Sequence, residues 1–506
     1  MKITDYKLNI IMKLSFIGVL IGLYFNLRLD QYFFSGPSGI HYIRQTDSLA
    51  FASQYFNTGN GFFNPSLFNF ESIEGRAACE FPILYYISAG YYSLFGKNYY
   101  ILKLLNLLIV YAGIYSVFNI SYRILKDYFY AFMVALLVFT STVFNYYSFN
   151  YLPDPGALGF TLIGWFFFVK YDANKRKRTL IWSTVFFTLG SLIKITFLMN
   201  PLSIAVFYVG TLIFKKQKLN KEVKSVLIYL SLGVLAVIAW NLYILNYNST
   251  YNSGYFTTSS RAIWSISSSE ISEVWKAISE YWSSSYFNYN SFYLIIVMVI
   301  LQFIGFKTLK NKLFWISSIL LSGSIAFFIL FYSQFRHHDY YFITFFPAFL
   351  LIVINGIVVL QKITENNIFH LFIKVLFLII ILIGIDDSKR ILNGRLTATP
   401  DEISLTGITI EKELKEIEKL NIPKDAVFIV APDHSKNGSL FFLNKRGWQF
   451  KTTEELTPRK VQDFNNLGGK YLLFVTDKKE PIEIGNNAGE LIYNSEKIKI
   501  FKLTKT

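Results

Sequence analysis

The sequence predicts an α-helical protein that crosses a membrane many times. Its 506 residues are 53% hydrophobic and only 16% charged, whereas soluble proteins carry about 25% charged residues. Long apolar runs, such as those at 352–360 and 379–385, fit the hydrocarbon core of a bilayer. A soluble chain of this length could not cover so much apolar surface.

Windows of about 20 mainly apolar residues predict about eleven spans. They lie near 9–27, 100–120, 128–147, 156–171, 179–198, 201–214, 223–245, 289–306, 313–334, 341–361 and 368–385. The run at 9–27 is expected to be a retained helix, because no small-residue cleavage site follows it. A tight turn at Asn200-Pro201 is expected to separate the fifth span from the sixth.

Basic residues fix the predicted orientation. They form clusters at 123–126, 170–178, 215–224, 307–312 and 362. All of these clusters lie on the same side of the membrane as the N-terminus only if the apolar run at 81–95 does not cross the membrane. The positive-inside rule then makes that side cytoplasmic, and 81–95 is expected to lie in the interface. The net charge of +16 is explained in this way, and no nucleic-acid-binding module is visible.

Several segments are then expected on the outer face of the membrane. They are the first loop at 28–98, the short loops near 148–156 and 335–340, the serine-rich stretch at 246–286 and the C-terminal region. We predict a transmembrane domain at 1–385 and a soluble extracytoplasmic α/β domain at 386–506. Its elements are a helix at 409–420 and strands at 426–430, 470–475 and 497–503. Residues 444–448 are expected to form a turn. Asp433, His434 and Ser435 are adjacent and cannot form a catalytic relay. The single Cys79 excludes an intramolecular disulfide.

Two acidic residues of the first loop are candidates for chemistry. Asp47 lies beside Arg44 where a helix-like run begins, and Glu80 precedes Phe81-Pro82. A carboxylate at a helix N-terminus is stabilised as the anion. For each residue a catalytic role and a capping role remain open.

Charged residues at the outer ends of spans form a second group. Asp154 is flanked by prolines at the mouth of a span, and it could equally be a helix cap. Lys194 lies near the outer end of another span, where an ionisable residue is either functional or extends to the interface. Lys103 is a weaker candidate of the same kind.

The short loop at 336–341 contains Arg336, His337, His338, Asp339, Tyr340 and Tyr341. Histidine and carboxylate are common metal ligands, but two adjacent histidines cannot easily face one ion. Contact with a phosphate or diphosphate through Arg336 and a histidine is therefore the preferred interpretation.

These segments together resemble a known group of enzymes. HYIRQTDSLAFASQYF, EFPILYYISAGYYSLFG, PDP, LIK and HHDYYFITFFP occur in the matching order between about 40 and 350. They resemble bacterial membrane glycosyltransferases of the GT-C fold, in the protein-mannosyltransferase-like and aminoarabinose-transferase-like families (glycosyltransferase families 39 and 83). The RGW of the C-terminal region is similar to a subgroup.

The resemblance implies an inverting glycosyltransferase of the bacterial plasma membrane with an extracytoplasmic active site and a polyprenyl-phosphate-linked sugar donor. Asp47 matches the general base and Glu80 a second acidic position. Lys194 and residues 336–341 match positions that meet the lipid phosphate, and Arg44, Lys103 and Asp154 are further substrate-binding candidates. Ile43 departs from a tryptophan, and Lys103 from a common arginine.

The donor arrives as a lipid, so no cofactor is expected, and no phosphate-binding loop or dinucleotide fingerprint is present. A divalent metal stays an open alternative. The acceptor and the sugar cannot be identified from the sequence. Two other functions remain: a polymerase or ligase that uses diphosphate-linked glycans, and a flippase or transporter of lipid-linked sugars. The first would need an arginine-rich late loop, and the second usually shows internal repeats; neither is visible.

Overall fold

The computed structural model describes residues 3–214, 219–256, 260–309, 312–363, 366–476 and 489–504. The basic residues 215–218 and Lys310 of the predicted cytoplasmic clusters, and part of the serine-rich stretch, lie outside these ranges. The chain forms two compact units. The first unit is Met1–Phe33, Lys103–Asn241 and Thr258–Gly394, and the second is Phe34–Leu102, Leu242–Thr257 and Arg395–Thr506.

The first unit is mainly helical, and many of its helices are long and apolar. They are α1 (Ile3–Asn26), α4 (Tyr100–Leu125), α5 (Tyr128–Leu136), α6 (Thr142–Ser148), α7 (Asp154–Asn174), α8 (Lys177–Ile193), α9 (Met199–Phe214), α10 (Lys221–Thr250), α11 (Ser268–Lys276), α12 (Ser283–Tyr286), α13 (Tyr289–Ile304), α14 (Phe306–Leu309), α15 (Lys312–Leu330), α16 (Phe346–Ile363) and α17 (Asn367–Leu396). Helices α4, α10 and α17 each extend into the second unit by a few residues.

Among the described residues, seven helices are long and apolar enough to cross a membrane, or up to nine if each of two bent pairs is one span. The bent pairs are Tyr128–Thr140 with Thr142–Ser148, at 83°, and Ser268–Tyr286 with Tyr289–Ile304, at 91°. The polytopic helical fold is therefore confirmed. The sequence predicts eleven spans, which is two more than this maximum, because it also counts α7 and α8 as spans. Helix α7 has charged residues near both ends, and α8 has only 17 residues.

The expected turn at Asn200-Pro201 is wrong. The chain leaves the helix earlier, at Lys194, which has an extended backbone between α8 and a 3₁₀ turn at Ile195–Leu198. Pro201 instead lies in the first turn of α9, where the missing N–H of proline costs no hydrogen bond. The break therefore places a lysine at an irregular point of the chain.

A glycine pair lets α4 and α7 approach closely. A Cβ atom on Gly159 would lie 2.5 Å from the carbonyl oxygen of Ile109, and one on Gly113 would lie 2.8 Å from the Cα of Gly159. Close helix crossing through small residues is the usual packing mode in membranes, where dispersion contacts replace the hydrophobic effect.

The second unit contains α2 (Tyr42–Thr58), α3 (Ile83–Phe95), α18 (Glu402–Glu418), α19 (Gly438–Leu443) and α20 (Pro458–Asn466) with a five-stranded sheet. Helix α3 has 13 residues, fewer than the roughly 20 that a span requires. It is therefore not a spanning helix, as the charge pattern predicts for 81–95.

The sheet consists of β1 (Val427–Ala431), β2 (Arg446–Gln449), β3 (Tyr471–Val475), β4 (Glu490–Asn494) and β5 (Ile498–Lys502), in the order β2-β1-β3-β5-β4. Strand β1 is parallel to β2 and β3, and β5 is antiparallel to β3 and β4. The three predicted strands are confirmed. The predicted turn at 444–448 is wrong, since Arg446–Gln449 is a strand that also hydrogen-bonds the first loop: the N–H of Phe70 donates to the carbonyl of Gly447 at 2.7 Å.

The Asp433 segment follows β1 as a loop and forms no relay. Asp433 accepts hydrogen bonds from the backbone N–H groups of Ser435 and Ser439, so it organises the turn that leads into α19. The ring of His434 turns instead toward Glu402, at 3.2 Å.

Candidate active site

Asp47 lies well inside α2. The helix begins at Tyr42 and has His41 as its N-cap, so the capping alternative for Asp47 is wrong. Its side chain is buried, with 1% exposure. The Tyr255 hydroxyl donates a hydrogen bond to Oδ1 at 2.7 Å, and Nη1 of Arg44 lies 3.8 Å from Oδ2. Asp47 is thus a buried carboxylate with one direct hydroxyl donor and one nearby cation.

Arg44 binds Glu80 more tightly than it binds Asp47. Its Nη2 lies 2.9 Å from both carboxylate oxygens of Glu80, and the Tyr85 hydroxyl also donates to Glu80. The capping alternative for Glu80 is wrong as well, because α3 begins only at Ile83 and no side chain caps it. Nη1 of Arg44 is buried and has no hydrogen-bond partner among the described residues. We call Arg44, Asp47, Glu80, Tyr85 and Tyr255 the Asp47 cluster.

The two carboxylates have opposite pKa shifts. Burial raises the pKa of Asp47 to about 7, although Arg44 and the hydrogen bond from Tyr255 oppose the shift. Burial would also raise the pKa of Glu80, but the Arg44 charge and hydrogen bonds from Cys79 and Tyr85 outweigh it and lower that pKa to about 2. Near neutral pH, Asp47 can therefore exchange a proton while Glu80 stays ionised.

Lys194 and Asp154 form an ion pair in the first unit. The Lys194 ammonium lies 2.9 Å from Oδ1 of Asp154, and the exposed side-chain fractions are 19% and 4%. Asp154 is the first residue of α7, whose N-cap is Pro153; its carboxylate binds the lysine. The ammonium also lies 4.9 Å and 4.5 Å from the ring centres of Tyr340 and Tyr341. These four residues form the Lys194 cluster.

The residues of the segment at 336–341 lie in two different environments. Asp339 is fully buried and accepts a hydrogen bond from the Tyr147 hydroxyl at 2.6 Å, and the His338 ring packs near those of Tyr340 and Tyr341. Arg336 is exposed and forms an ion pair with Glu273 at 2.6 Å. A cavity of about 310 Å³ beside it is also lined by His337 and Lys276.

Lys103 is enclosed by aromatic rings near the start of α4. Its ammonium donates to the carbonyl of Tyr32 at 2.9 Å and lies 4.8 Å from the ring centre of Tyr151. Within the described ranges, no group of three or more His, Cys, Asp or Glu side chains is arranged to hold a metal ion.

Three tyrosines of these clusters were missed at the level of sequence. Tyr85 and Tyr255 bind the carboxylates of the Asp47 cluster, and Tyr147 binds Asp339. Tyr85 lies five residues after Glu80, a spacing that could have indicated contact. Tyr255 is 208 residues from Asp47, in a stretch without periodic pattern, and no local signal identifies it.

Comparison with known proteins identifies similar folds. Residues 80–244 match the family model described as dolichyl-phosphate-mannose-protein mannosyltransferase. No curated protein matches the chain. ArnT from Cupriavidus metallidurans, solved with bound undecaprenyl phosphate, is 12% identical with a TM-score of 0.60, over 96% of this chain and 97% of that chain.

An archaeal protein shows the same likeness at greater distance. AglB, the oligosaccharyltransferase of Archaeoglobus fulgidus, was solved in complex with an inhibitory peptide and a dolichol-phosphate. It is 10% identical with a TM-score of 0.52, over 92% of this chain and 69% of that chain. At such identities the likeness concerns the fold. The resemblance found in the sequence is confirmed at this level: the chain is a polytopic membrane protein with the GT-C glycosyltransferase fold.

Proposed function

We propose that this chain transfers a sugar from a polyprenyl-phosphate-linked donor to an extracytoplasmic acceptor hydroxyl, with inversion at the anomeric carbon and with Asp47 as general base. The observation that carries the proposal is the buried Asp47 carboxylate, whose pKa is raised to about 7. A general base works best when its pKa lies near the working pH. A carboxylate held only as a structural ion pair would have a lowered pKa, as Glu80 does.

The proposed step is a single displacement. The acceptor oxygen forms a bond to the anomeric carbon while the bond from that carbon to the phosphate oxygen breaks. The hydroxyl proton passes to Asp47, and the polyprenyl phosphate leaves as an anion. A retaining mechanism would need a second carboxylate as nucleophile, but both oxygens of Glu80 are bound by Arg44. Glu80 is therefore assigned to positioning Arg44.

Cations are assigned to the phosphate. The Lys194 ammonium has three N–H donors and is aimed by Asp154, so a phosphate oxygen can take a further donor without loss of that ion pair. In the Asp47 cluster, Nη1 of Arg44 lies 3.8 Å from Oδ2 of Asp47 and has no hydrogen-bond partner among the described residues, so it can donate to a substrate oxygen there. Such donors stabilise charge that develops on the leaving group. Arg336, His337 and Lys103 are proposed to contact the donor lipid, with His338, Asp339, Tyr340 and Tyr341 holding that region in place.

Two further parts of the proposal concern the donor lipid and the location of the site. The structures of ArnT with undecaprenyl phosphate and of AglB with dolichol-phosphate support a polyprenyl phosphate as donor carrier. A donor that brings its own leaving group needs no cofactor. The charge pattern supports a bacterial plasma-membrane location with the N-terminus in the cytoplasm and both the site and the C-terminal region outside.

The test is mass spectrometry of envelope glycans and glycoproteins from cells with and without the protein, followed by transfer assays with the purified chain in proteoliposomes. We expect a glycan to lose one sugar when the protein is absent, and the purified chain to release polyprenyl phosphate from the donor. Transport of lipid-linked sugar across the bilayer without any transfer product would overturn the proposal in favour of a flippase.

A further inference from the structure

A groove of about 960 Å³ lies in the second unit at the C-terminal end of α2. We call it the α2 groove. Its walls come from the end of α2, the end of α18 with the following loop, and the segment that leads into β2; they include Gln54, Phe56, Asn57, Glu418 and Asn444. Its volume falls within the range of about 300–1,000 Å³ typical of ligand sites.

Gln54 is an unsatisfied amide at the inner wall of this groove. Its side chain is 1% exposed, and neither its amide nitrogen nor its amide oxygen has a hydrogen-bond partner among the described residues. Buried polar atoms are normally paired. These atoms have almost no accessible surface in this structure, so a change of side-chain rotamer must turn the amide into the groove. An amide that can both donate and accept then matches a ligand with hydroxyl groups, which do the same.

The rest of the lining also fits a neutral, hydroxylated ligand. Asn57 donates to Asn444 at 2.8 Å, and Lys97 donates to the same oxygen at 3.0 Å, so a polar network borders the groove. Phe56 lines the groove and is 37% exposed, and an aromatic side chain of this kind can pack against the C–H face of a sugar.

The charges in the walls do not form an anion site. Three cations line the walls. Lys445 donates to the backbone carbonyls of Pro423 and Ile422, Arg446 donates to that of Glu74, and Lys424 is adjacent in sequence to the carboxylate of Asp425. Carboxylates of Glu418 and Asp425 line the same walls. These carboxylates would repel a phosphate or another strong anion, whereas they would not repel a neutral ligand.

We propose that the α2 groove binds a short neutral glycan that forms part of the acceptor. Gln54 follows Asp47 by seven residues on one helix, which places it on the same side about 10.5 Å further along the axis. The groove and the candidate base thus lie two turns apart on a rigid element. The assignment of this glycan to the acceptor rests on the proposed function; the binding itself does not.

Binding is tested on the full-length protein in detergent with chitotetraose, maltotetraose and cellotetraose as probes, by saturation-transfer NMR and calorimetry. We expect saturable binding of at least one probe. Gln54→Ala should weaken it about tenfold or more, because two hydrogen bonds are lost. Phe56→Ala, at a partly exposed position near the end of α2, should weaken it too. Gln462→Ala, on α20 outside the groove, is the matched control and should bind as the wild type does.

The outcomes separate the two proposals. Asp47→Asn should bind the probe normally and fail in transfer, while Gln54→Ala should transfer with a raised KM for the acceptor. If no probe binds saturably, or if both groove variants bind as tightly as the wild type, the α2 groove is not a glycan site. If Asp47→Asn transfers normally while the groove variants lose binding, the proposed base is wrong and the glycan site stands.

Discussion

Asp47→Asn is the substitution that tests the proposed chemistry most directly. Asparagine keeps the shape of the side chain and an oxygen that accepts from Tyr255, so the fold should be retained. It cannot take a proton. Loss of a general base typically costs about 10²–10⁴-fold in rate, and we expect transfer to fall by that factor in a proteoliposome assay with saturating donor.

The pH profile gives a second, independent readout. Asp47 has a pKa of about 7 and acts only when ionised, so kcat/KM of the wild type should rise about tenfold per unit below pH 7 and level off above it. The residual activity of Asp47→Asn should not show this rise. Glu74→Gln, which changes an exposed acidic residue of the same loop, should keep both the rate and the profile. A wild-type profile that is flat between pH 5 and 8 would refute the assignment of the base.

The same pKa predicts a pH dependence of stability whose sign is opposite to the usual one for a carboxylate, which has a lowered pKa in the folded protein. The folded protein holds the Asp47 proton up to about pH 7, but an ordinary carboxyl releases it near 3.8. The unfolded chain therefore binds fewer protons between these values, and stability falls as pH rises through this window. The pKa values of Asp47 in the unfolded and folded states thus differ by about 3, which corresponds to about 4 kcal/mol of unfolding free energy. Asp47→Asn lacks this penalty, so its unfolding temperature in detergent should exceed that of the wild type at pH 8, and the gap should narrow toward pH 4.

Three further substitutions test the surroundings. Glu80→Gln removes an anion that raises the pKa of Asp47 and frees Arg44 to approach it, so the midpoint of the kcat/KM profile should move below 7; an unchanged midpoint would contradict the shared-arginine geometry. Asp154→Asn leaves the largely buried Lys194 ammonium without its carboxylate and should destabilise the protein by about 3–5 kcal/mol in thermal unfolding, whereas Asp172→Asn at the exposed end of α7 should cost clearly less. Gly159→Ala places a Cβ 2.5 Å from a backbone carbonyl of α4 and should lower the folded yield, while Gly18→Ala, with nothing within 4 Å, should not.

The sequence predicts those features that depend on composition or on short spacing. Apolar runs locate the long helices, and runs of β-branched and aromatic residues locate β1, β3 and β5. The turn predicted at 444–448 fails because Asn444 and Lys445 have turn character, whereas the partners of β2 are β1 and a distant part of the first loop. Spacing also does not fix where a helix begins, so the sequence leaves a capping role open for Asp47, although α2 begins five residues earlier.

Neighbours in sequence need not be neighbours in function, as the segment at 336–341 shows. Arg336 ends one 3₁₀ turn and Asp339 begins another. The backbone leaves the 3₁₀ conformation between the two turns, at His337 and His338, which have φ values of −118° and −125°. The alignment of side chains three residues apart that one continuous 3₁₀ helix would give is therefore lost, so Arg336 faces Glu273 while Asp339 is buried against Tyr147. A dense group of polar letters thus becomes two separate environments, and only the structure can assign them.

The different behaviour of the two first-loop carboxylates follows from how one guanidinium is shared. Arg44 lies 2.9 Å from Glu80 and 3.8 Å from Asp47, and attraction between buried charges weakens with distance. Glu80 therefore receives enough stabilisation to overcome its burial, and Asp47 does not. The geometry thus divides the roles: Glu80 holds the arginine in place, and its hold on that charge leaves Asp47 basic enough to accept a proton.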